Sequence, residues 1–244
     1  MVNLVALNDF VTVHSEQELI DLIYPEETLH QPDECVERAI LAPLNINVNA
    51  INSTVLDALY GPEHELSSYD SVERESDDAL EADVDLLNQV TAKGVPPHKL
   101  RLKVGAVCLI MRNLNVDQGL VNGTKVIVES ISRNLIRFRR PGSNESFGIP
   151  RISFKFNLCR GSPLVVRRQF PLQLAYAMTV HKSQGQTIKL VGVDLRTDCF
   201  THGQLYVALS RVRTRAALTL LVCEDRIKDG VAHTKNIVFN GLLD

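Results

Sequence analysis

The sequence predicts an α/β fold in which a parallel sheet with packed helices carries an inserted small β-barrel. Three observations predict it. Short apolar runs alternate with helical patterns in the first part of the chain and again near its C-terminus, which is typical of a parallel sheet. Between them, about 60 residues hold several short strand candidates separated by turn signals, which favours a small barrel. The expected division is residues 1–95 for the first part of the sheet domain, 96–165 for the insertion and 166–244 for the rest.

The N-terminal part contains the first alternation of strands and helices. A strand-like run at Leu4–Leu7 is followed by a helical segment at Glu16–Ile23, and the apolar run Arg38–Ala42 predicts a buried strand. Asn45–Leu59 has its apolar residues at helical spacing, so we expect a helix packed on the sheet.

An acidic segment comes next. Residues 61–85 contain ten acidic residues and one basic residue, Arg74, and we interpret them as a solvated loop and the outer face of a helix. The buried side of that helix is expected to consist of Leu80, Val84, Leu86 and Leu87. Gly94 and the following prolines should end it.

The middle and the last part of the chain supply the remaining elements. Strand candidates of the insertion are Leu100–Arg112, Lys125–Ser132, Asn134–Arg139 and Phe147–Phe156, with a turn at Asn122–Thr124. After the insertion we expect buried strands at Phe170–Val180, Leu190–Asp194 and Ala217–Val222, and a helix at Gly203–Ser210.

Composition excludes several classes of protein. The chain has 45% hydrophobic and 23% charged residues and no apolar run of the length that spans a membrane, so no membrane partner is expected. Its first residues lack the basic start and the cleavage site of a secretory signal. The five cysteines are dispersed without a C-x-x-C pair, which favours reduced thiols in an intracellular protein over disulfides or a metal site.

The charge is distributed unevenly. Residues 1–90 carry 2 basic and 20 acidic residues, a balance of −18, whereas residues 91–244 carry 24 basic and 9 acidic residues, a balance of +15. The basic part suits a surface that binds a polyanion. Alternatively, the two parts neutralise each other within one fold.

A polar block follows the expected strand that ends near Met178. In an open parallel sheet, ligands meet the carboxyl ends of the strands. Thr179, His181, Lys182 and Ser183 could there donate to phosphates of a nucleic-acid backbone. Gly185 would allow a nucleotide phosphate to approach closely. Each residue alone is a weak signal, and a histidine such as His181 is by itself more often structural, so the interpretation depends on the whole string.

A second block places Gln204, Tyr206, Leu209 and Arg211 within about two turns of a helix. Tyr206 and Leu209 are expected to face the core. Arg211 could neutralise charge on a transferring phosphoryl group, as an arginine finger does. Taken alone, it is better interpreted as a surface cation that interacts with the helix dipole. With the first block beside it, we interpret Arg211 as the arginine finger.

The two blocks resemble motifs V and VI of superfamily 1B helicases, most closely those of the PIF family and its relatives in Helitron-type transposable elements. Further segments resemble the family in the same order along the chain: Leu41–Asn52, Tyr69–Ser71, Pro96–Leu114, Gly119–Thr124, Ile149–Ile152, Arg167–Leu172 and Thr234–Phe239.

The resemblance implies a second RecA-like motor domain with a small barrel inserted before motif V. Such helicases use ATP, with Mg²⁺, to move 5′ to 3′ along single-stranded DNA and to open duplexes. The DNA contacts of motif V map onto Thr179, His181, Lys182 and Ser183. The nucleotide contacts map onto Gln184, Gly185, Gln204 and Arg211.

The chain also departs from the family. It has no G-x-x-x-x-G-K-[ST] phosphate-binding loop. Its one Asp-Glu pair, Asp33-Glu34, follows Gln-Pro and not an apolar strand, so it is not a Mg²⁺-holding Walker B element. We therefore expect neither ATP nor Mg²⁺ to be bound by this chain alone, and expect the missing first RecA-like domain to be supplied in cis or in trans.

Three functions follow from these observations. The first is the C-terminal part of a DNA helicase that acts with a separate first domain, in the nucleus or in mitochondria. The second is a module that binds single-stranded DNA without motor activity, through salt-sensitive backbone contacts. The third is a non-functional remnant of a truncated helicase gene.

Overall fold

A computed structural model describes residues 2–73, 84–159 and 162–238. Arg74, Leu80 and Phe239, together with the side chains of Val84 and Leu86, lie outside the described part of the chain. None of the described helices is long and apolar enough to cross a membrane.

The elements alternate along the chain. In the described residues the strands are β1 Val2–Ala6, β2 Val11–Val13, β3 Arg38–Ala42, β4 His64–Ser67, β5 Tyr69–Glu73, β6 Lys99–Leu102, β7 Val107–Ile110, β8 Lys125–Ile131, β9 Leu135–Arg139, β10 Ser146–Pro150, β11 Ile152–Asn157, β12 Leu164–Gln169, β13 Leu172–Leu174, β14 Ala177–Thr179, β15 Leu190–Asp194, β16 Leu218–Leu221, β17 Ile227–Lys228 and β18 Val231–Ile237. The helices are α1 Glu16–Ile23, α2 Glu26–Leu29, α3 Pro32–Val36, α4 Asn45–Ala58, α5 Val84–Gln89 and α6 Gln204–Leu209, and short 3₁₀ turns lie at Val180–Ser183, Arg215–Ala217 and Glu224–Arg226.

The chain divides into two compact units. The first unit comprises Met1–Leu59 and Ala175–Asp244, and the second comprises Tyr60–Leu174. The second unit is therefore longer at both ends than the insertion expected at residues 96–165. The physical reason is strand pairing: β4 pairs with β6 and β5 pairs with β12, so the acidic segment, expected to be loop and helix of the sheet domain, contributes strands to the second unit.

The first unit is built on a parallel sheet of five strands in the order β14-β3-β15-β16-β2. The parallel sheet predicted from the sequence is thus confirmed. Its inner strands β3, β15 and β16 are almost entirely buried, which explains why each is a continuous apolar run without alternation. A second, antiparallel sheet in this unit has the order β1-β18-β17, and the long strand β18 was not expected.

Helix α1 packs on the parallel sheet. Ser15 caps its N-terminus by accepting a hydrogen bond from the backbone N–H of Glu18 at 3.1 Å. Its apolar side meets strand β15 at Gly192, where an added Cβ would lie 2.9 Å from the Leu19 side chain and 3.0 Å from that of Ile23. The helix therefore lies this close to the sheet because residue 192 has no side chain.

Helix α4 fastens the edge strand β14 through one side chain. Asn52 is only 3% exposed, and its Oδ1 accepts hydrogen bonds from the N–H groups of Tyr176 (3.0 Å) and Ala177 (2.9 Å). Its Nδ2 donates to the carbonyl of Ala177 at 3.0 Å. The hydroxyl of Tyr24 in turn donates to the carbonyl of Tyr176 at 2.8 Å. These contacts fix the point where the chain enters β14.

The second unit consists of antiparallel strands. They form a five-stranded sheet in the order β10-β9-β8-β7-β13, a three-stranded sheet β11-β12-β5 and the pair β4-β6. The expected strand Leu100–Arg112 is two strands, because the backbone turns at Gly105, whose φ of +85° favours glycine. The candidate Phe147–Phe156 is likewise divided, at Arg151, and strand β12 was not expected. Closure of these strands into a barrel stays a prediction.

A buried arginine holds three segments of the second unit together. The side chain of Arg167 is fully buried and forms an ion pair with the equally buried Asp70, at 2.7 Å between Nη2 and Oδ2. The same guanidinium donates to the backbone carbonyls of Leu87 (2.8 Å), Val90 (3.0 Å) and Pro96 (3.2 Å). Strand β5, strand β12 and the segment that includes α5 thus meet at one charge.

We expect Asn52→Ala to lower the free energy of unfolding by about 2–4 kcal/mol, because it leaves two buried N–H groups and a carbonyl without a partner. Urea unfolding followed by circular dichroism measures this change. Asn49, exposed on the same helix, provides the control, and Asn49→Ala should change stability by about 0.5 kcal/mol or less. Equal effects of the two substitutions would contradict the role of Asn52.

We expect Arg167→Met to destabilise the chain by about 3–5 kcal/mol, because it leaves the carboxylate of Asp70 buried without a compensating charge. The double variant Arg167→Met/Asp70→Leu should recover part of that loss. The exposed neighbour Arg168 serves as the control, since Arg168→Met removes the same charge without breaking a buried pair. A double variant no more stable than Arg167→Met would argue against the buried charge as the cause.

Candidate functional site at the carboxyl edge of the parallel sheet

The first polar block leaves the sheet where its parallel strands end. Strand β14 finishes at Thr179, beside the end of its parallel neighbour β3 at Ala42, and the chain then forms the 3₁₀ turn Val180–Ser183. Helix α6, which carries the start of the second block, packs against this turn. The carboxyl edge is the place where open parallel sheets meet their ligands.

The four residues expected to contact DNA occupy different environments. Thr179 is half-buried, whereas His181 and Lys182 are exposed. The residue Lys182 is exposed, but neighbouring atoms partly shield its ammonium group from water. This desolvation lowers the pKa of the ammonium group. The hydroxyl of Ser183 is buried and donates to the carbonyl of Val180 at 2.7 Å, so it closes the turn from inside.

Gln184 and Gly185 follow the turn at the surface. The side chain of Gln184 is exposed, and Gly185 has a φ of +77°, which favours glycine whatever binds there. Apart from residues 184–186 themselves, no atom of the described residues lies within 4 Å of the position that a Cβ of residue 185 would take. The space above this backbone is therefore open to another molecule.

The two polar atoms of the Gln204 side chain differ in their hydrogen bonding. It is 2% exposed, and its Oε1 accepts hydrogen bonds from the N–H groups of Phe200 (2.9 Å) and Thr201 (3.3 Å). Its Nε2 is buried and has no hydrogen-bond partner among the described residues. Because the two accepted bonds fix the orientation of the amide, Nε2 is a donor held ready for an acceptor.

Arg211 connects the two blocks. Its Nη1 donates to the carbonyls of Ser183 (3.3 Å) and Gln186 (3.2 Å) in the first block, and its Nε donates to the carbonyl of Val207 (2.8 Å) in α6. Its Nη2 donates to the hydroxyl of Ser210 at 2.8 Å. A further link is the pair His181 and Thr201, whose Nε2 and Oγ1 lie 3.3 Å apart. Among the described residues all partners of this guanidinium are neutral, and none of them is a carboxylate that would compensate its charge.

One expectation about the second block was wrong. Tyr206 was expected to face the core, but its side chain is 74% exposed. The core positions of α6 are those of Leu205 and Ala208, with Leu209 packed at the margin. The helix has only six residues, and its start at Gln204 places position 206 on the outer side.

A buried polar cluster at the same edge was missed by sequence reasoning. Asp194, at the end of β15, is fully buried and accepts hydrogen bonds from Asn47 (3.1 Å) and from the guanidinium of Arg196 (2.7 Å). Arg196 also contacts Glu16 of α1 at 2.5 Å. The hydrogen bonds that Arg196 donates to Asp194 raise the pKa of its guanidinium. The available signal was an acidic residue that directly ends an apolar strand.

The chain is similar to known proteins in both sequence and structure. Residues 85–131 match the family model described as "DNA helicase Pif1, 2B domain". The human "ATP-dependent DNA helicase PIF1" is 34% identical over 156 residues, which cover 59% of this chain and 22% of that protein. The "ATP-dependent DNA helicase PIF6" of Trypanosoma brucei brucei is 38% identical over 128 residues, covering 50% and 16%. The chain thus spans a quarter or less of the length of these curated relatives.

Solved structures give the same result. The crystal structure of Pif1 helicase from Candida albicans superimposes with a TM-score of 0.57 and 28% identity, covering 84% of this chain and 53% of that one. Bacteroides Pif1 in complex with ADP-AlF3 and ssDNA shares the fold, with a TM-score of 0.58, 22% identity and coverage of 95% and 53%. The resemblance inferred from the sequence motifs is confirmed, and the chain is a relative of the PIF-family DNA helicases that corresponds to a part of their length.

Proposed function

We propose that the chain is the second RecA-like motor domain of an ATP-dependent 5′ to 3′ DNA helicase, with the antiparallel strands of the second unit forming its inserted small barrel. The observation that carries the proposal is Arg211, which joins both blocks at the carboxyl edge of the parallel sheet. The first RecA-like domain, with the phosphate-binding loop that this sequence lacks, would be supplied in cis or in trans. The relatives named PIF1 support this assignment.

In this proposal the first block contacts single-stranded DNA. Thr179, His181 and Lys182 would contact the phosphates. Thr179 directly precedes the turn at the carboxyl edge of the sheet, and His181 and Lys182 lie within the turn and are exposed. Ser183 would contribute by shaping the turn, since its hydroxyl is used inside it. The related Bacteroides Pif1 was solved bound to ssDNA, which supports the choice of ligand.

The nucleotide would lie against Gln184, Gly185, Gln204 and Arg211. Two observations fit ATP: the unpartnered Nε2 of Gln204 can donate to an acceptor, and the space above Gly185 is open. ATP, when bound in the complete motor, supplies the phosphoryl group that is transferred to water. Arg211 would exchange its bonds to backbone carbonyls for the phosphate oxygens and neutralise their charge. Mg²⁺ would accompany ATP in the complete motor and would be held by the first RecA-like domain.

The second candidate is a module that binds single-stranded DNA without motor activity. The excess of basic residues after residue 90 favours it, as does the engagement of Arg211 with backbone carbonyls. DNA-stimulated ATP hydrolysis separates the two functions. The chain mixed with a first RecA-like domain from a relative should hydrolyse ATP if it is a motor domain, and a pure binding module should not.

We propose a role in DNA repair, recombination, telomere maintenance or transposition, in the nucleus or in mitochondria.

We expect Lys182→Ala to reduce the salt dependence of single-stranded DNA binding. Loss of one phosphate contact should lower the slope of log K against log salt concentration by about 0.7. Titration of a labelled oligonucleotide at several salt concentrations measures the slope. Lys228 is exposed in strand β17 of the same unit and belongs to neither block, so Lys228→Ala should leave the slope unchanged. An identical slope for wild type and Lys182→Ala would remove Lys182 from the DNA site.

We expect Arg211→Ala to reduce ATP hydrolysis by the complete motor by a factor of about 10³ or more, with single-stranded DNA binding nearly retained. The reason is that the arginine would act on the phosphates. Arg213→Ala removes an exposed arginine two residues away and should have little effect on either property.

A loss of both ATP hydrolysis and DNA binding in Arg211→Ala, with a lowered free energy of unfolding, would give a different result. Arg211 would then serve only to hold the first block against α6, as its bonds to Ser183 and Gln186 allow. The arginine-finger assignment would be wrong.

A further inference from the structure

The second unit contains a basic cleft that the proposed motor site does not use. The cleft has a volume of about 450 Å³ and is lined by residues 64–69, residues 131–133 and Arg151. Tyr69, the first residue of the Y-D-S segment singled out in the sequence, lies in it. The lining comes from strands β4 and β5, from the turn after β8 and from the junction between β10 and β11. All of these residues belong to the second unit.

Arg151 is held rigidly in this cleft between two aromatic rings. Its guanidinium carbon lies 4.4 Å from the ring centroid of Phe170 and 5.4 Å from that of Tyr69. Its Nη1 donates to Oε1 of the buried Gln169, and Gln169 is itself fixed through its Nε2, which donates to the carbonyls of Leu66 (2.8 Å) and His98 (2.9 Å). The Nε of Arg151 is buried without a hydrogen-bond partner among the described residues. The position of this charge is therefore set before any ligand arrives.

Two further arginines reinforce the positive charge. Arg168 lies opposite Tyr69 in the pairing of β5 and β12. Arg133 donates a hydrogen bond to the hydroxyl of Tyr69, which lowers the pKa of that hydroxyl. Burial, together with the like charges of Arg133 and Arg168, lowers the pKa of Arg151. Arg133 and Arg151 line the cleft and Arg168 lies on the strand beside Tyr69, so three positive charges lie near one another.

The nearby carboxylates are used elsewhere. Glu65 of the cleft pairs with Lys99 at 3.0 Å, and Asp70 is occupied by Arg167. None of Arg133, Arg151 and Arg168 forms an ion pair with a carboxylate within the described ranges. Three arginines that pair with no carboxylate of the described residues favour the binding of an anion, and guanidinium groups are well suited to phosphate.

Tyr69 adds a second binding element. Its side chain is 54% exposed, and Arg151 lies over its ring. An exposed ring can stack a nucleic-acid base, which is worth about 1–3 kcal/mol for each base. A phosphate site beside a stacking ring matches the repeating unit of a single strand, whereas in a duplex the faces of the bases are covered.

We propose that this cleft is a second contact for single-stranded nucleic acid, in which Tyr69 stacks a base while Arg133 and Arg168 bind the adjoining phosphates and Arg151 supplies a fixed charge beside the ring. The inference rests on the proposed function, since it assumes that the chain binds single-stranded DNA. It adds a site in the second unit to the one in the first.

The stacking part is tested with the full chain and a single fluorophore. The sequence contains no tryptophan, so in Tyr69→Trp the tryptophan emission reports on this position alone. Oligo(dT) should quench the emission, and an abasic oligonucleotide of the same length and charge should quench it much less. Equal quenching by both oligonucleotides, or no quenching by either, would overturn the stacking role. Quenching by inorganic phosphate to the same extent would show a simple anion site and would also overturn it.

The phosphate part is tested by salt dependence in the chain that retains Tyr69. Arg133→Gln/Arg168→Gln should lower the slope of log K against log salt concentration by about 1.4, the value expected for two contacts on a single strand. The matched control Lys93→Gln/Lys228→Gln removes two exposed charges and should leave the slope unchanged. Equal effects of the two double variants would mean that only net charge matters and would overturn the site.

The two proposals can fail separately. If Lys182→Ala lowers the slope and Arg133→Gln/Arg168→Gln does not, the cleft is not a contact and the proposed function stands. If the double arginine variant lowers the slope and Lys182→Ala does not, the cleft binds the strand and the DNA contact assigned to the first block is wrong. If the wild-type chain binds no single-stranded DNA, the cleft is not a DNA contact and the DNA contacts assigned to the first block are wrong, whereas ATP hydrolysis together with a first RecA-like domain still tests the motor proposal.

Discussion

The hydrogen bonds of Asn52 are the interaction on which the candidate motor site depends. Strand β14 has three residues and lies at the edge of its sheet, so ladder bonds to β3 alone would hold it weakly. Asn52 forms hydrogen bonds with the backbone of Tyr176 and Ala177. The hydroxyl of Tyr24, at the end of α1, donates to the carbonyl of Tyr176. The turn that contains His181 and Lys182 follows β14 directly. The hydrogen bonds of the buried Asn52 amide to the start of β14 therefore also fix the position of this turn.

The arginines of this chain differ in how their charge is balanced, and that difference separates structural from functional roles. The charge of Arg167 is compensated by the buried carboxylate of Asp70, so this arginine has a structural role. Arg211 is surrounded by neutral carbonyls, and Arg151 by rings and an amide. A guanidinium that is positioned without a counter-charge retains its attraction for phosphate. This distinction is the physical basis of both proposed sites.

Sequence patterns located most elements of the first unit because local physics determines them. The helix Glu16–Ile23 and the strands Arg38–Ala42 and Leu190–Asp194 were expected at the bounds that the structure has. The wrong predictions concern segments whose secondary structure depends on pairing with strands that are distant in sequence. The acidic segment forms β4 and β5 because β6 and β12 pair with them, and hydropathy alone cannot show such partners. Tyr206 was misplaced because a six-residue helix is too short for periodicity to fix its buried face.

The sequence by itself determined the family resemblance, the parallel sheet and the residues of both polar blocks, because ordered motifs and apolar runs are local properties of the chain. Only the tertiary structure decided how those residues are used: Ser183 closes its turn, the Nε2 of Gln204 has no hydrogen-bond partner among the described residues, and Arg211 links the two blocks. It also brought Tyr69, Arg133 and Arg151 into one cleft, with Arg168 opposite Tyr69 on the neighbouring strand. Their separation along the chain hides this cluster from any sequence pattern, since strand pairing and packing alone bring such residues together.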